Sequence, residues 1–351
     1  MKLDQIDQEK SKGMSVQVAV LLASVLILLL LVVMLVLNRD RLTGRKTSAK
    51  QISEEVQDVD EQYDPEDVWA GVIAEPDREE EELPEENTEN DGAVSVDPDY
   101  ESTHTRVVKR DGTEEWLMIS KYMPPNPIDP DRLREDGKYL NYEDEEMCCF
   151  TGILVDKQQG IIDYNKVKKA GIDFVMIRLG QRGYQTGTLS LDEHFAQNMQ
   201  GAGNAGLKIG ILFATQAVNE EEAVEEAEYV LSYLEDYAIT YPVALYAGYV
   251  GEEEARADGL SKFARTKIIS AFLDKIKDAG YVPMIAADKL WLLKNLELSV
   301  ANDYDVWFLG EGDYPDYPYK LSMWQYSTST GVNGVVGTAR ISMSLVDYTK
   351  K

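Results

Sequence analysis

Acidic side chains stand directly after several predicted strands, where they could bind and release protons. Asp156 follows the short apolar stretch Ile153–Val155. Residues 252–254, all glutamates, come shortly after the apolar stretch Val243–Ala247, and Glu311 and Asp313 follow the stretch Asp305–Leu309. Two carboxyl groups that face each other can serve as a proton donor and as a base or nucleophile. The positions of these acids on the fold therefore decide which chemistry is open to the chain.

The elements that must position these acids are alternating strand and helix patterns over residues 152–351. The first unit is a strand, a turn with Gly160, a helix capped by Asp163 and ended by Gly171, and a second strand. Such crossover units give parallel strands, with active sites at the strand carboxyl ends. The pattern predicts an α/β fold, an irregular (β/α) TIM-like barrel that is parallel throughout and has shortened later helices. Strands are predicted at Ile153–Val155, Phe174–Arg178, Ile209–Thr215, Val243–Ala247, Val282–Ala286, Asp305–Leu309, Leu321–Tyr326 and Ala339–Met343. Helices are predicted at Asp163–Ala170, Glu193–Ala205, Glu220–Tyr237 and Ser261–Ala279.

Composition excludes several classes of partner and cofactor. The formal net charge of −28 argues against nucleic acid, which requires a basic surface. The two histidines, His104 and His194, are far apart, and the two cysteines, Cys148 and Cys149, are adjacent. Because this spacing matches no metal or redox motif and no disulfide framework, we expect no cofactor and no metal.

A continuous apolar segment at residues 14–37 follows a short tail, residues 1–13. At 1.5 Å per residue, a helix of this length would span roughly 36 Å, enough for a bilayer core of about 30 Å. The segment is longer than the apolar core of a signal peptide, so we predict an uncleaved transmembrane signal anchor. The larger number of basic residues after the segment favours a cytoplasmic carboxyl side, but long following domains cross largely regardless of charge. The charges therefore leave the orientation open.

Two further regions separate this anchor from the predicted barrel. Residues 38–105 are rich in acids and prolines, with the glutamate run 79–82 as a solvated block, and predict a disordered spacer. Residues 106–150 predict a small module outside the barrel. Its turn pair Asp111-Gly112 lies between two alternating stretches and indicates a β-hairpin.

Several sequence pieces of the predicted barrel occur together in one order. They are the opening strand–turn–helix, Tyr241-Pro242-Val243, Asp258-Gly259-Leu260-Ser261, Ala279-Gly280-Tyr281-Val282-Pro283-Met284-Ile285, Met323-Trp324-Gln325-Tyr326-Ser327 and Ser344-Leu345-Val346-Asp347-Tyr348. Together they resemble the glycoside hydrolase family 25 barrel, the lysozyme-type muramidases of bacteria and their phages, over roughly residues 150 to 348. The resemblance implies cleavage of the peptidoglycan glycan by carboxylates at barrel strand ends.

The chain departs from the family at the acidic positions. The family's first strand reads Gly-Ile-Asp-Val-Ser, and here the aspartate position is Leu154. The Asp-x-Glu pair that ends the fourth strand falls on Tyr246 and Gly248, and the aspartate of the last strand falls on Arg340. Glycoside hydrolysis needs two acidic groups, whereas a tyrosine with a pKa near 10 is a poor acid and an arginine opposes developing positive charge. The comparison therefore predicts a pseudoenzyme.

The family's ligand groove is also altered. Gln158, Ala214 and Ala286 stand where the family commonly has aromatic residues. A tryptophan on a barrel strand can belong either to the core or to a ligand platform. Arg178, at a strand end, either binds an anionic group or forms a structural ion pair. The candidate groove residues are Gln158, Arg178, Trp307, Trp324, Gln325 and Tyr326.

Two functions from different classes remain open. The first is a membrane-anchored envelope protein, single-pass with its barrel outside the cytoplasm, that binds peptidoglycan or an envelope protein without catalysis. The second is an active muramidase with relocated acids, Asp156 and Glu311, because Asp156 faces the same side of its strand as Leu154. A barrel on the cytoplasmic side with an unrelated partner is a third, suggested only by the flanking charges.

Overall fold

The computed structural model describes residues 98–145, 147–252 and 254–350. The helices are α1 (Pro98–Thr103), α2 (Tyr164–Lys169), α3 (Phe195–Ala205), α4 (Glu220–Leu234), α5 (Lys262–Asp278), α6 (Lys289–Lys294) and α7 (Leu298–Asp303). The strands are β1 (His104–Val108), β2 (Glu114–Met118), β3 (Leu133–Asp136), β4 (Tyr139–Tyr142), β5 (Phe150–Val155), β6 (Phe174–Arg182), β7 (Leu189–Leu191), β8 (Lys208–Ala214), β9 (Val243–Tyr246), β10 (Pro283–Ala287), β11 (Asp305–Leu309), β12 (Met323–Thr330) and β13 (Ala339–Ser344).

Eight of these strands close into a barrel. Their order is β5-β13-β12-β11-β10-β9-β8-β6, and the β5–β6 pairing completes the circle, while β7 extends the sheet beside β6. The predicted α/β barrel is therefore present, and each of the eight predicted strands overlaps one barrel strand.

The expectation of a wholly parallel barrel is wrong at one strand. β13 pairs antiparallel with both β12 and β5, whereas the other six pairings around the barrel are parallel. The reason is the connection, because a loop rather than a helix joins β12 to β13 and so reverses the chain direction. As a result, the start of β13 lies at the carboxyl end of the parallel strands, which we call the barrel mouth.

The barrel strands are apolar on both faces because both faces are covered. On β5, Leu154 packs into a cluster inside the barrel, whereas its neighbours Ile153 and Val155 pack into the layer between strands and helices. Along each strand, successive side chains point alternately into the barrel interior and into the layer under the helices. Because both layers are apolar, the strands are almost continuously apolar. The interior is thus a packed core below the mouth.

The helices begin where the sequence places capping residues. Asp163, Asn219, Ser261 and Asp288 each accept a hydrogen bond from a backbone N–H in the first turn of α2, α4, α5 and α6. The cap predicted at Asp163 is confirmed. Helices α6 and α7 have only six residues each, in line with the expected shortening.

The small module before the barrel holds two hairpins. The hairpin of β1 and β2 forms around the predicted Asp111-Gly112 turn, and β3 pairs with β4 as a second hairpin. The second hairpin was not predicted. The module packs on the barrel through the Ser120 N–H, which donates to the Tyr319 hydroxyl at 2.8 Å, and through the ion pair of Lys294 with Glu115 at 2.8 Å.

The predicted membrane anchor, residues 14–37, lies outside the described residues, as do the amino-terminal tail and most of the acidic spacer. Within the part of the chain that the structure describes, no helix has both the length and the apolarity needed to cross a bilayer.

Candidate functional site at the barrel mouth

The four positions that the family resemblance led us to compare, Leu154, Tyr246, Gly248 and Arg340, lie on or directly after strands at one end of the barrel. Arg340, at the start of β13, is the register partner of Leu154 near the end of β5. Tyr246 ends β9 between Ala214 of β8 and Ala286 of β10. Because β13 runs antiparallel to its neighbours, all these residues share the mouth. None of the four positions carries a carboxyl group.

A buried ion pair lies at this mouth. Arg340 Nη1 is 3.3 Å from Asp156 Oδ2, and Arg340 Nη2 lies 3.5 Å from Gln158 Oε1. Asp156 is fully buried, and Arg340 is 9% exposed. Burial lowers the pKa of Arg340 while Asp156 opposes the shift, so the guanidinium remains charged beside its partner. A buried positive charge with a buried carboxylate partner thus lies at the mouth.

Asp156 also has a structural role in the backbone after β5. Its Oδ1 accepts the Gln158 N–H at 2.8 Å, and its own N–H donates to Gln159 Oε1 at 2.8 Å. The two interactions form a capping box that starts a 3-10 turn at Lys157–Gln159. Both carboxylate oxygens of Asp156 are therefore engaged, one by this turn and one by Arg340.

The Tyr246 hydroxyl is a poor substitute for a catalytic acid. Burial raises its pKa well above the ordinary value of 10, and the nearby Asp288 raises it further, while Arg340 and Arg178 act in the opposite direction. A group that holds its proton so tightly is neutral at physiological pH and a weak general acid.

The other acids that follow strands lie in solvated loops. Glu311 is exposed and accepts a hydrogen bond from the Thr328 N–H. Asp313, Glu252 and Glu254 are also exposed. Solvated carboxylates of this kind are ordinary surface groups in an acidic protein.

Arg178 lies buried at the mouth beside other polar groups. It is 4% exposed and donates a hydrogen bond to Gln181 Oε1. It also lowers the pKa of Asp192, against the larger effect of burial, which raises it. Asp192 accepts the backbone N–H groups of Lys157 and His194 at 3.0 and 2.9 Å. Arg178 is therefore buried among polar groups rather than exposed at the surface.

The aromatic residues predicted for the groove lie mostly in the core, which corrects that expectation. Trp307 and Trp324 are fully buried, and their indole N–H groups donate to Ser342 Oγ at 3.2 Å and to the Gly310 carbonyl at 2.7 Å. Their neighbours along β11 and β12 are buried as well, so no ring face is open to a ligand.

Of the three remaining groove candidates, two are buried and one is exposed. Gln325 is 1% exposed, and its Oε1 has no hydrogen-bond partner among the described residues. Tyr326 is also buried, and its hydroxyl accepts the Leu140 N–H at 3.1 Å. Gln158 is exposed beside Arg340, so of the predicted groove residues it is the most accessible to a ligand.

Sequence reasoning missed residues that reach the mouth from elsewhere. Arg110, in the β1–β2 turn, donates to the Val250 carbonyl at 3.4 Å. Burial raises the pKa of the half-buried Asp288, and the charge of Arg110 opposes this shift. Asp288 directly follows β10 and caps α6, a position that its sequence pattern indicates. The Arg110 contact joins residues 140 apart in sequence, and no local pattern points to it.

Among the residues that the structure describes, no group of three His, Cys, Asp or Glu side chains is arranged to hold a metal ion. Cys148 and Cys149 form no disulfide. The backbone N–H of Tyr142 donates to Cys149 Sγ at 3.4 Å, and burial raises the pKa of the Cys149 thiol.

Comparison with known proteins identifies relatives of the barrel. The chain is 25% identical over 189 residues to the autolytic lysozyme of Clostridium acetobutylicum, covering 54% of this chain and 53% of that protein. It is 33% identical over 111 residues to a D-alanyl-L-alanine endopeptidase of Streptococcus phage B30, covering 30% of this chain and 23% of that protein. The chain therefore spans about half the length of the first relative and less than a quarter of the second.

A solved structure matches a larger share of the chain, and a family model matches about half of it. The modular autolysin LytC of Streptococcus pneumoniae, solved in complex with a synthetic peptidoglycan ligand, shares the fold with a TM-score of 0.51 and 19% identity, over 69% of this chain and 56% of that one. The family model described as glycosyl hydrolases family 25 matches residues 153–335, just over half of the 351 residues. The chain belongs to glycosyl hydrolases family 25.

Proposed function

We propose that this chain is a membrane-anchored protein of the cell envelope whose family 25 barrel binds peptidoglycan, or an envelope partner, without cleaving it. The observation that carries the proposal is the buried Arg340–Asp156 ion pair at the mouth. Family membership and the autolytic lysozyme among the relatives support peptidoglycan as the ligand.

The proposed lack of hydrolysis follows from the groups at the mouth. Cleavage of a glycoside needs one carboxyl to donate a proton and a second to stabilise or attack the cationic centre. Leu154 and Gly248 supply neither, and the Tyr246 hydroxyl holds its proton too tightly. The charge of Arg340 raises the energy of an adjacent oxocarbenium-like centre, since like charges repel most strongly in a poorly solvated site.

An active muramidase with relocated acids is the alternative. Its best pair is Asp156 and Glu311. Asp156 lies on the correct face of β5, but both of its oxygens already accept hydrogen bonds. Glu311 is exposed and bound to a loop N–H. The geometry therefore favours structural roles for both.

The proposed location rests on sequence and family. Residues 14–37 would anchor the chain, and the acidic segment before the barrel would hold the domain away from the membrane. Family 25 muramidases act outside the cytoplasm, so we place the barrel on that side.

The test combines wall binding with turnover. The full chain, purified in detergent, is mixed with purified cell walls, and the sedimented protein and the released muropeptides are both measured. We expect sedimentation without muropeptide release, and the same result for Asp156→Asn and Glu311→Gln. Release by the wild type that is lost in Asp156→Asn would establish the alternative, and a chain that neither sediments nor releases product would contradict peptidoglycan binding.

A further inference from the structure

A groove on the outside of the barrel is separate from the mouth. It is bordered by residues 161–166, by α3 and by the loop that joins β12 to β13, and its volume is about 680 Å³. This volume lies within the range of roughly 300–1,000 Å³ that is typical of ligand sites. None of the four family acid positions lines it. The groove is thus a second cavity in which a ligand can lie.

Three asparagine side chains from three separate segments line this groove. They are Asn165 at the start of α2, Asn204 near the end of α3 and Asn333 in the β12–β13 loop. All three are exposed, and none of their carboxamides makes a hydrogen bond within the described residues. Each carboxamide offers two N–H donors and one carbonyl acceptor. The groove therefore presents several uncommitted donor–acceptor pairs.

The groove is electrically neutral although the whole chain is strongly acidic. Its two charged residues, Asp163 and Lys166, pair with each other at 3.1 Å, and Asp163 also caps α2. Two aliphatic side chains lie at its surface, Ile161 at 75% and Val336 at 73% exposure. A ligand that fits must be uncharged, rich in hydrogen-bonding groups and partly apolar.

We propose that this groove binds an uncharged oligosaccharide of N-acetylated amino sugars. The acetamido group carries an N–H donor and a carbonyl acceptor that match a carboxamide, and its methyl group and the C–H faces of the sugar can pack on Ile161 and Val336. A wall peptide with free carboxylates and ammonium groups would find no unpaired charge here. The assignment of peptidoglycan as the source of this sugar rests on the proposed function. The assignment of the groove as a sugar site does not depend on that function.

The test measures binding of the N-acetylglucosamine tetramer to the full chain by isothermal titration calorimetry. We expect the double variant Asn204→Ala/Asn333→Ala to raise the Kd about tenfold, the effect of losing one or two good hydrogen bonds. Asn302→Ala is the matched control, because Asn302 is an exposed asparagine that does not line this groove, and its Kd should equal that of the wild type. Because the ligand and groove are neutral, an increase in salt of about tenfold should leave the Kd unchanged.

Two outcomes overturn the inference. The first is equal binding of the tetramer by the wild type and the groove double variant, which places the sugar elsewhere or nowhere. In the second, the wild type binds a free wall stem peptide but not the tetramer, and the double variant no longer binds the peptide. This result would assign the groove to peptides. Muropeptide release by the wild type would contradict the proposed function but not the groove, so the two failures are distinguishable.

Discussion

Asp156 has two structural contacts that compete with any catalytic role. Its side chain starts the turn after β5 and pairs with Arg340, and it is completely buried. A general acid or nucleophile must reach the substrate, whereas this carboxylate is held between a backbone N–H and a guanidinium. Its place in the sequence, one pleat beyond Leu154, suggests chemistry, and its contacts indicate support of the mouth.

Replacement of Asp156 by asparagine should therefore reduce stability. The amide can still accept the Gln158 N–H but leaves the buried Arg340 without its counter-charge, which costs about 3 kcal/mol in the free energy of unfolding. Urea unfolding of the full chain measures this. The exposed Asp313→Asn is the control and should change stability by less than about 0.5 kcal/mol. Full stability of Asp156→Asn would contradict the structural role.

Glu226, on α4, makes a second buried contact with a charged group, Arg182 at the carboxyl end of β6. Its Oε1 accepts the Arg182 Nε–H at 2.8 Å, and the residue is completely buried. Burial raises the pKa of Glu226 from 4.5 to about 7, although Arg182 opposes the shift. The folded chain therefore holds this proton more tightly than the unfolded chain. The resulting stabilisation is complete below pH 4.5 and is lost as the pH rises through about 7.

The variant Glu226→Gln should remove this pH dependence. Between mildly acidic and mildly alkaline pH, we expect the free energy of unfolding of the wild type to fall by about 3 kcal/mol relative to that of Glu226→Gln. The size of this change is set by the shift in pKa. Urea unfolding of both proteins at the two pH values measures the difference. In Glu225→Gln, which changes an exposed carboxylate on the same guanidinium, the pH dependence should remain. A constant difference between wild type and Glu226→Gln would be incompatible with the raised pKa.

At the scale of elements, the β1–β2 hairpin is pinned to the loop after β9. Arg110 of its turn lies against Gly251, whose φ of +85° is in the left-handed region. A side chain at this glycine would meet the Arg110 guanidinium. The hairpin thus contributes to the rim of the mouth, next to the strand that ends in Tyr246.

Gly251→Ala should loosen this hairpin. The substitution adds backbone strain of about 1 kcal/mol and also displaces Arg110 from the Val250 carbonyl. Hydrogen exchange of the β1 and β2 amides should accelerate. Gly280→Ala is the control, because Gly280 has a similar φ of +87° and no atom within 4 Å of the added carbon, so it brings the strain without the contact. Equal exchange in the two variants would mean that Arg110 does not hold the hairpin.

The elements also explain which features the sequence could predict. All eight barrel strands could be predicted because runs such as Phe174–Arg178 are apolar on both faces. The helix starts could be predicted because capping residues such as Asn219 act locally. The direction of β13 could not be predicted, because it depends on the length and path of the loop before it. The burial of Trp307 and Trp324 was one of two open possibilities, since a strand residue's face depends on what covers it. Arg110 and Asp192 reach the mouth through contacts that no local pattern encodes.

At the scale of the whole molecule, the chain has the barrel of glycosyl hydrolases family 25. The barrel depends on apolar burial along the strands, whereas catalysis of glycoside cleavage depends on two acidic groups at one end of it. Under the proposed function, Leu154, Tyr246, Gly248 and Arg340 stand where the family has acids, so the fold would be kept without the activity.

Release of reducing ends from purified glycan strands by the full chain tests this claim most directly. The assay covers about pH 4 to 8, the range in which a carboxyl pair would operate, with an active family 25 muramidase at the same concentration as the reference. We expect no release above the protein-free background at any pH. Release by the wild type that disappears in Asp156→Asn or Glu311→Gln would contradict this claim.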